Sequence, residues 1–244
     1  MPEGPSIVIL KNEVQAFTGK KVLDVSGNAK TIDIDRLLHQ KVIAFKSWGK
    51  HFLICFSKCT LRIHFMLFGS YRINDPKDAK PRLSLQFTAG ELDFYACSIK
   101  IIEEPLDEVY DWSVDVMSDE WDGKKAKKKL KEHPDMLVCD AILDQSIFSG
   151  AGNIFKNEVL YRIKVHPLSK VGALPDKILT KLVKEVHNYA FDFLHWKEEG
   201  VLKKNWKVHT RKTCPDTGEP VKKAYLGKTN RRTFWCESVQ VLYN

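Results

Sequence analysis

The stretch Leu143-Asp144-Gln145-Ser146-Ile147-Phe148-Ser149-Gly150-Ala151-Gly152-Asn153-Ile154 decides how the second half of this chain folds. It joins two amphipathic segments of helical periodicity, Leu137–Gln145 and Asn153–Arg162. Between them Ser149-Gly150-Ala151-Gly152 has the composition of a tight turn. The pattern predicts a helix–two-turns–helix unit, in which backbone amides at the second helix's N-terminus can hold a phosphate.

Toward the C-terminus a longer helix is expected after Pro175, running toward Trp196, with the aromatic-rich Tyr189–Trp196 stretch as core. From about Trp206 the texture returns to strand, and Lys222–Leu226 and Thr233–Cys236 flank Gly227 as a small β-hairpin. Toward the N-terminus residues 103–123 are acidic and broken, which suggests a hinge. Residues 22–102 read as strands at Lys41–Phe45, Phe52–Phe56, Leu61–Phe65, Tyr71–Ile73, Leu83–Phe87 and Leu92–Tyr95, with a hairpin turn at Thr88-Ala89-Gly90-Glu91. Residues 5–18 read as a helix, with Pro5 suited to its first position and Gly19 to its stop. The expected fold is therefore α+β. An N-terminal antiparallel β-sandwich with a flanking helix (1–117) precedes a hinge (118–123), a helix–two-turns–helix domain (124–205) and a β-hairpin finger (206–244).

With 244 residues, 43% of them hydrophobic, the chain can bury a sizeable core. No apolar run approaches the ~18–20 residues of a membrane span. Met1-Pro2-Glu3-Gly4-Pro5 has neither the basic nor the apolar region of a secretory signal. The six cysteines, Cys55, Cys59, Cys97, Cys139, Cys214 and Cys236, form no disulfide framework and read as reduced thiols. Cys55, Cys59, Cys97 and Cys139 are expected as small core residues. Net charge is +8, and residues 201–244 alone carry ten Lys/Arg against three Asp/Glu. A second basic block is Lys124-Lys125-Ala126-Lys127-Lys128-Lys129-Leu130-Lys131. Clustered basic charge fits a polyanion but equally fits a solvated face.

The N-terminus carries the most specific chemistry. Once an initiator methionine is removed, a step that proline at position two permits, Pro2 bears a free secondary amine. An α-amino group has a pKa of ~7.8 against ~10.4 for lysine, so far more of it is neutral and nucleophilic near pH 7. Condensation with a sugar's anomeric carbon gives an iminium, an electron sink that acidifies the neighbouring carbon and permits loss of phosphate. Glu3 stands beside it as a proton shuttle.

Met1-Pro2-Glu3-Gly4-Pro5 resembles the opening of the formamidopyrimidine-DNA glycosylase / endonuclease VIII family. Three further stretches resemble it in the same order. Trp48-Gly49-Lys50-His51-Phe52-Leu53 is similar to a hairpin presenting a catalytic lysine. The 143–154 stretch is similar to the helix–two-turns–helix signature, and Arg231-Arg232-Thr233-Phe234-Trp235-Cys236 to a C-terminal β-finger. The resemblance implies a bifunctional glycosylase and abasic-site lyase of base excision repair, acting by β- and then δ-elimination. It implies Pro2 as nucleophile, Glu3 as general acid/base, and phosphate contacts from Lys50, Asn153 and Arg231. Arg231, rather than its neighbour Arg232, is selected by counting five back from Cys236. Asparagine at 153 is also an ordinary N-cap. The implied partner is damaged DNA, bound by a monomer with no membrane association, in the cytoplasm and nucleoid or in a nucleus.

Several positions depart from the family's pattern. Ser6 stands where a glutamate is frequent. The loop His64-Phe65-Met66-Leu67-Phe68-Gly69 suits an apolar wedge that fills the hole left by a flipped base. Leu67 matches the wedge position, Met66 is able to share it and His64 adjoins it, whereas Phe65 and Phe68 are expected in the buried end of a strand. His51, His64 and His166 are expected in the core or at phosphates. Tyr95-Ala96-Cys97-Ser98-Ile99-Lys100 stands where the purine-repairing branch has an Asp-x-Arg-Arg-Phe-Gly-like loop, so the chain looks closer to the endonuclease VIII branch and to oxidised pyrimidines. Preference for 8-oxoguanine or formamidopyrimidines, and lesion binding without turnover, are the competing readings. In the finger, Thr217 and Val239 stand where a second cysteine of each pair is usual. Cys214, Cys236 and the nearby His209 do not close a tetrahedral zinc site, so a zincless finger without cofactor is expected, held by packing through Phe234 and Trp235.

Overall fold

The computed structural model describes residues 2–244. Met1, whose removal the reading of Pro2 requires, lies outside them. The chain divides into two compact units, Met1–Asp111 and Trp112–Asn244. The division falls earlier than the boundary after residue 117 expected from the sequence, and the expected hinge 118–123 lies within the second unit. There Ser118 N donates to Asp115 O, Asp122 N donates to Ser113 O, and Trp121 stacks on His187 at 5.8 Å. Closed turns and a stacked indole fix these residues despite their acidity.

In the first unit, α1 (Gly4–Glu13) starts with proline in its first turn. It is shorter than the expected 5–18 because Val14, at φ −92° and ψ 5°, breaks α geometry, and Gln15–Phe17 tighten into a 3₁₀ turn. Ile7, Leu10, Val14 and Phe17 nevertheless face the core. Eight strands follow: β1 (Asp24–Ser26), β2 (Ala44–Trp48), β3 (His51–Cys55), β4 (Thr60–His64), β5 (Ser70–Ile73), β6 (Leu83–Phe87), β7 (Gly90–Tyr95) and β8 (Ser98–Ile102). They form two antiparallel sheets, ordered β1-β6-β7-β5 and β2-β3-β4-β8. One core draws Phe45, Phe52, Ile54, Leu61 and Ile63 from one sheet and Leu83, Leu85, Leu92 and Phe94 from the other. The expected sandwich is present, with β1 and β8 added. The first of the expected strands shifts to Ala44–Trp48, since Lys41 makes only an isolated bridge to Lys21. After β8 comes the single-turn helix α2 (Leu106–Val109).

The second unit is built on α3 (Gly123–Lys131), α4 (Val138–Ala141), α5 (Asn153–Ile163), α6 (Asp176–Glu198) and the short α7 (Leu202–Asn205), followed by the hairpin β9 (Lys222–Leu226) and β10 (Arg231–Trp235). Phe148, Phe155, Leu160, Leu182, Tyr189 and Phe193 share one core, as expected for Tyr189 and Phe193, with Trp196 partly buried against it, whereas Phe191 of the same stretch is exposed. The first helix of the helix–two-turns–helix unit is a single turn rather than Leu137–Gln145. Leu143 N reaches back three residues to Asp140 O, and the Asp144 carboxylate takes the Ser146 amide, so the chain turns early. Gln145 spans these turns: its amide donates to Leu143 O and Ala151 O, and its carbonyl accepts from Gly150 N. The finger is not a separate body. Phe234, Cys214 and Cys236 pack with Tyr161 of α5 and Val208 in a small cluster.

Candidate active site and nucleic-acid interface

Pro2 is partly exposed just ahead of α1, and Glu3, the N-cap residue immediately before the helix, is 1% exposed. A carboxylate is tolerated there because a helix N-terminus presents partial positive charge. α1 packs on β2 and β3. Those strands meet in the two-residue turn Gly49-Lys50, closed by the Trp48–His51 pair, and Gly49 takes φ +52° to make it.

The turn is set in an aromatic cluster that the sequence reading missed. Trp48 lies 4.8 Å from Tyr110 and donates through Nε1 to Asp111 O at 3.0 Å. His51 Nδ1 is 3.1 Å from the Tyr110 hydroxyl, and its ring meets His64 edge-on at 5.5 Å. Burial, then the charges of Arg62, His64 and Lys50, push the His51 pKa down to about 3. Burial with Lys50 and Arg62 also lowers that of His64. Both rings are neutral near pH 7, so the positive charge acting on them comes from Arg62 and Lys50.

β4 leads into the wedge loop. Phe65 is buried as expected, against Tyr71 and Phe94. Met66 and Leu67 are 51% and 49% exposed, and His64 Nδ1 lies 3.0 Å from Met66 Sδ. Phe68 contradicts its expected burial, being 87% exposed. A four-residue return from Phe65 O to Gly69 N turns the chain outward, which carries the ring off the sheet. Three consecutive apolar residues before a glycine were the available signal for a projecting loop. β7 and β8 join through Ala96-Cys97 alone, so this connection has no insertion loop.

In the second unit, Gly152 is the N-cap of α5 and brings no side chain to that end; Asn153 is the first helical residue instead of the cap. Asn153 Nδ2 donates to Arg232 O at 2.9 Å, and its Oδ1 is buried without a protein partner. Arg231 starts β10 opposite Leu226. Arg232 is exposed and lies over the Phe234 ring at 5.3 Å. The hairpin is seated by polar residues whose roles the sequence reading missed. The Asp140 carboxylate accepts from Lys228 N, Thr229 N and Thr229 Oγ1 at 2.9, 3.1 and 2.8 Å. Three consecutive buried residues of α5 do the rest. Lys156 donates to Thr233, Asn157 Oδ1 accepts from Phe234 N, and Glu158 takes the amides of Lys207, Val208 and His209. Lys-Asn-Glu inside an otherwise apolar helix was the signal for them.

His209 Nδ1 pairs with the Asn157 amide at 2.8 Å, and burial, with the charges of Lys156 and Arg232, lowers its pKa to about 4. Burial opposes ionisation of Cys214, but hydrogen bonds with Cys236 and Thr217 bring its thiol down to about 7, while burial pushes Cys236 up. Two thiols and an imidazole committed to an amide do not fit a closed zinc site, which needs four donors. Among the described residues no group of three or more His, Cys, Asp or Glu side chains is arranged to hold a metal ion. Much of the basic block on α3 is committed internally. Lys125 bonds Ser113, Lys127 and Lys131 bond Asp176, and Lys129 bonds Ser146 O. No helix among the described residues is long and apolar enough to cross a membrane.

Residues 1–96 match the Formamidopyrimidine-DNA glycosylase N-terminal domain, and residues 113–197 match the Formamidopyrimidine-DNA glycosylase H2TH domain. The chain belongs to the formamidopyrimidine-DNA glycosylase / endonuclease VIII family. Within that family it stands on the endonuclease VIII side. Endonuclease 8-like 3 of Mus musculus is 31% identical over 79% of this chain and 33% of its own length. Endonuclease 8-like 2 of Mus musculus is 34% identical over 74% of this chain and 57% of its own length. The chain thus spans about a third of the Endonuclease 8-like 3 relatives it matches. The fold is that of Lactococcus lactis formamidopyrimidine-DNA glycosylase bound to DNA containing an abasic site, with TM-score 0.86, 18% identity, and coverage of 98% and 99% of the two chains. It is also that of a viral DNA glycosylase, with TM-score 0.83, 20% identity, and coverage of 98% and 100%.

Proposed function

We propose that this chain is a DNA glycosylase and abasic-site lyase of base excision repair, removing oxidised pyrimidines through Pro2. The placement of Pro2 and the buried Glu3 at the start of α1, a helix packed on the hairpin that turns at Lys50, carries the reading. The neutral Pro2 nitrogen attacks the sugar's anomeric carbon as the damaged base departs, and the base leaves with a proton delivered by Glu3. Loss of the amine's remaining proton and opening of the sugar ring leave an iminium. That cation takes up the electrons when a proton leaves the adjacent carbon, and the 3′-phosphate is expelled. A second elimination expels the 5′-phosphate. Lys50, Asn153 and Arg231 grip phosphates flanking the lesion, while Leu67, assisted by Met66 and flanked by His64, fills the vacated stack. The finger serves this function without a metal, and the chain acts as a monomer.

The test is incubation with matched duplexes carrying thymine glycol, dihydrouracil or 8-oxoguanine opposite each base. Excision of the pyrimidine lesions, a one-nucleotide gap with phosphate at both ends, and little dependence on the opposite base are expected. Preference for 8-oxoguanine opposite cytosine contradicts the substrate assignment, and binding without excision contradicts the enzymatic reading.

A further inference from the structure

Trp48 and His51 face each other across β2 and β3 with only Gly49 and Lys50 between them, so the two side chains close the Lys50 turn. The register carries their face across the sheet. His51 pairs with His64 and Leu53 with Arg62, and residues two apart along a strand point the same way. Trp48, His51, Arg62 and His64 therefore stand on one face, opposite the core that takes Phe52, Ile54, Leu61 and Ile63. Tyr110 and Asp111, the last two residues of the first unit, pack on that face.

Tyr110 is buried, with its ring 4.8 Å from Trp48 and 5.7 Å from His51. Packing alone would be served by phenylalanine, because a buried hydroxyl costs stability unless it is bonded. The Tyr110 hydroxyl is bonded on two sides. Arg62 makes a side-chain hydrogen bond to it, and His51 Nδ1 lies 3.1 Å away. A guanidinium can only donate, so Arg62 occupies a lone pair of the oxygen and leaves the hydroxyl proton for His51. Burial, with the charges of Arg62, His64 and Lys50, keeps the imidazole neutral and able to accept it. His51 then carries its own proton on Nε2.

We propose that Tyr110 is a positioning residue for Lys50: its hydroxyl, oriented by Arg62, donates to His51 Nδ1 and locks the imidazole that, with Trp48, closes the Lys50 turn. This rests on the reading of Lys50 as a phosphate contact and deepens it. A lysine is a point charge on a flexible four-carbon stem, so its grip is only as well placed as the turn it leaves from. A turn fixed in advance loses less freedom when Lys50 settles on a phosphate. Tyr110 acts through this turn and not on the reacting atoms.

The test is a double-mutant cycle on the full chain, read as equilibrium binding to a duplex bearing an uncleavable tetrahydrofuran abasic analogue. Tyr110→Phe keeps the ring and deletes the hydroxyl. It is expected to weaken binding about three- to tenfold, the worth of one hydrogen bond, and to raise KM for abasic-site nicking more than it lowers kcat. Lys50→Ala is expected to weaken binding and to lower its salt slope by about 0.9, the share of one phosphate. Adding Tyr110→Phe to Lys50→Ala is expected to cost less than about twofold more, because the two residues act as a unit. Losses that multiply in the double variant overturn the proposal. The native chain gives a readout that needs no variant: nitrogen NMR of His51 is expected to show Nδ1 bare and Nε2 protonated near pH 7, and a proton on Nδ1 overturns the proposal as well. Native affinity and salt slope in Lys50→Ala refute the phosphate reading and this proposal together, whereas a loss in Lys50→Ala with none in Tyr110→Phe refutes this proposal alone.

Discussion

Lys156 Nζ, on the buried face of α5, donates to Thr233 Oγ1 in the finger hairpin at 2.7 Å. An ammonium group out of water is stable only while its donors are met, so this bond makes the seating of the hairpin a condition of folding the helix. Thr233→Val keeps the shape and deletes the acceptor. It is expected to cost about 1.5–3 kcal/mol, the range for a hydrogen bond to a charged group. A urea midpoint unchanged from the native chain contradicts this.

The hairpin loop is held from α4 by Asp140. Its carboxylate lies where a Cβ on Gly227 would stand, 2.4 Å from Oδ1, and Gly227 has φ +71°. Gly227→Ala therefore meets both a clash and a left-handed backbone. It is expected to destabilise the chain by at least about 1–3 kcal/mol. With the proposed Arg231 contact displaced, affinity for abasic-site duplex should fall at least fivefold. Both are read by chemical unfolding and fluorescence anisotropy. An alanine variant as stable and tight-binding as the native chain shows that Asp140 does not fix the loop.

Acid should weaken the fold in a defined window. Burial lowers the pKa of His51, His64, His166 and His209, to about 3 for His51 and about 4 for His209. Below an ordinary histidine value of ~6.5 the unfolded chain binds protons that these folded rings refuse. Their contribution to stability is thus full above about pH 6.5 and is lost as the pH falls toward 4. Urea midpoints should be level between pH 8 and 7 and clearly lower at pH 5. A midpoint that rises on acidification contradicts neutral, buried imidazoles.

Glu3 separates the two proposed chemical steps. Glu3→Gln removes the proton donor for base departure but leaves the amine that reacts at an existing abasic site. Excision of thymine glycol should fall about 10²–10⁴-fold, while nicking of a preformed abasic site falls much less. Equal loss on both substrates contradicts the assigned role, and a melting curve matched to the native chain confirms that the variant is folded.

The sandwich, the helix–two-turns–helix unit and the hairpin were legible because hydrophobic period and glycine placement act locally, as in Phe52–Phe56 or the turn at 149–152. What escaped was set by individual hydrogen bonds and ion pairs, some local and some between residues distant in sequence. α4 stops at Ala141 because Asp140 and Gln145 spend their polar groups on turns and on the hairpin loop 88 residues away. Phe68 leaves the core because a hydrogen bond between Phe65 and Gly69 redirects the chain, which hydropathy does not encode. The Lys-rich block fits a polyanion and a solvated face equally by its sequence, whereas Lys127 and Lys131 close on Asp176 of another helix. Pro2, Glu3 and Lys50 were chosen by motif, and the structure sets two of them on one helix start and the third on the hairpin beneath that helix.

The central claim concerns one nitrogen. The protein should be mixed with abasic-site DNA and borohydride, digested with trypsin, and the nucleotide-bearing peptide sequenced by mass spectrometry. The account predicts the adduct on the peptide running from Pro2 to Lys11, attached at the Pro2 nitrogen. An adduct on Lys50 or any other lysine, or no adduct from a protein whose mature N-terminus is Pro2, contradicts it.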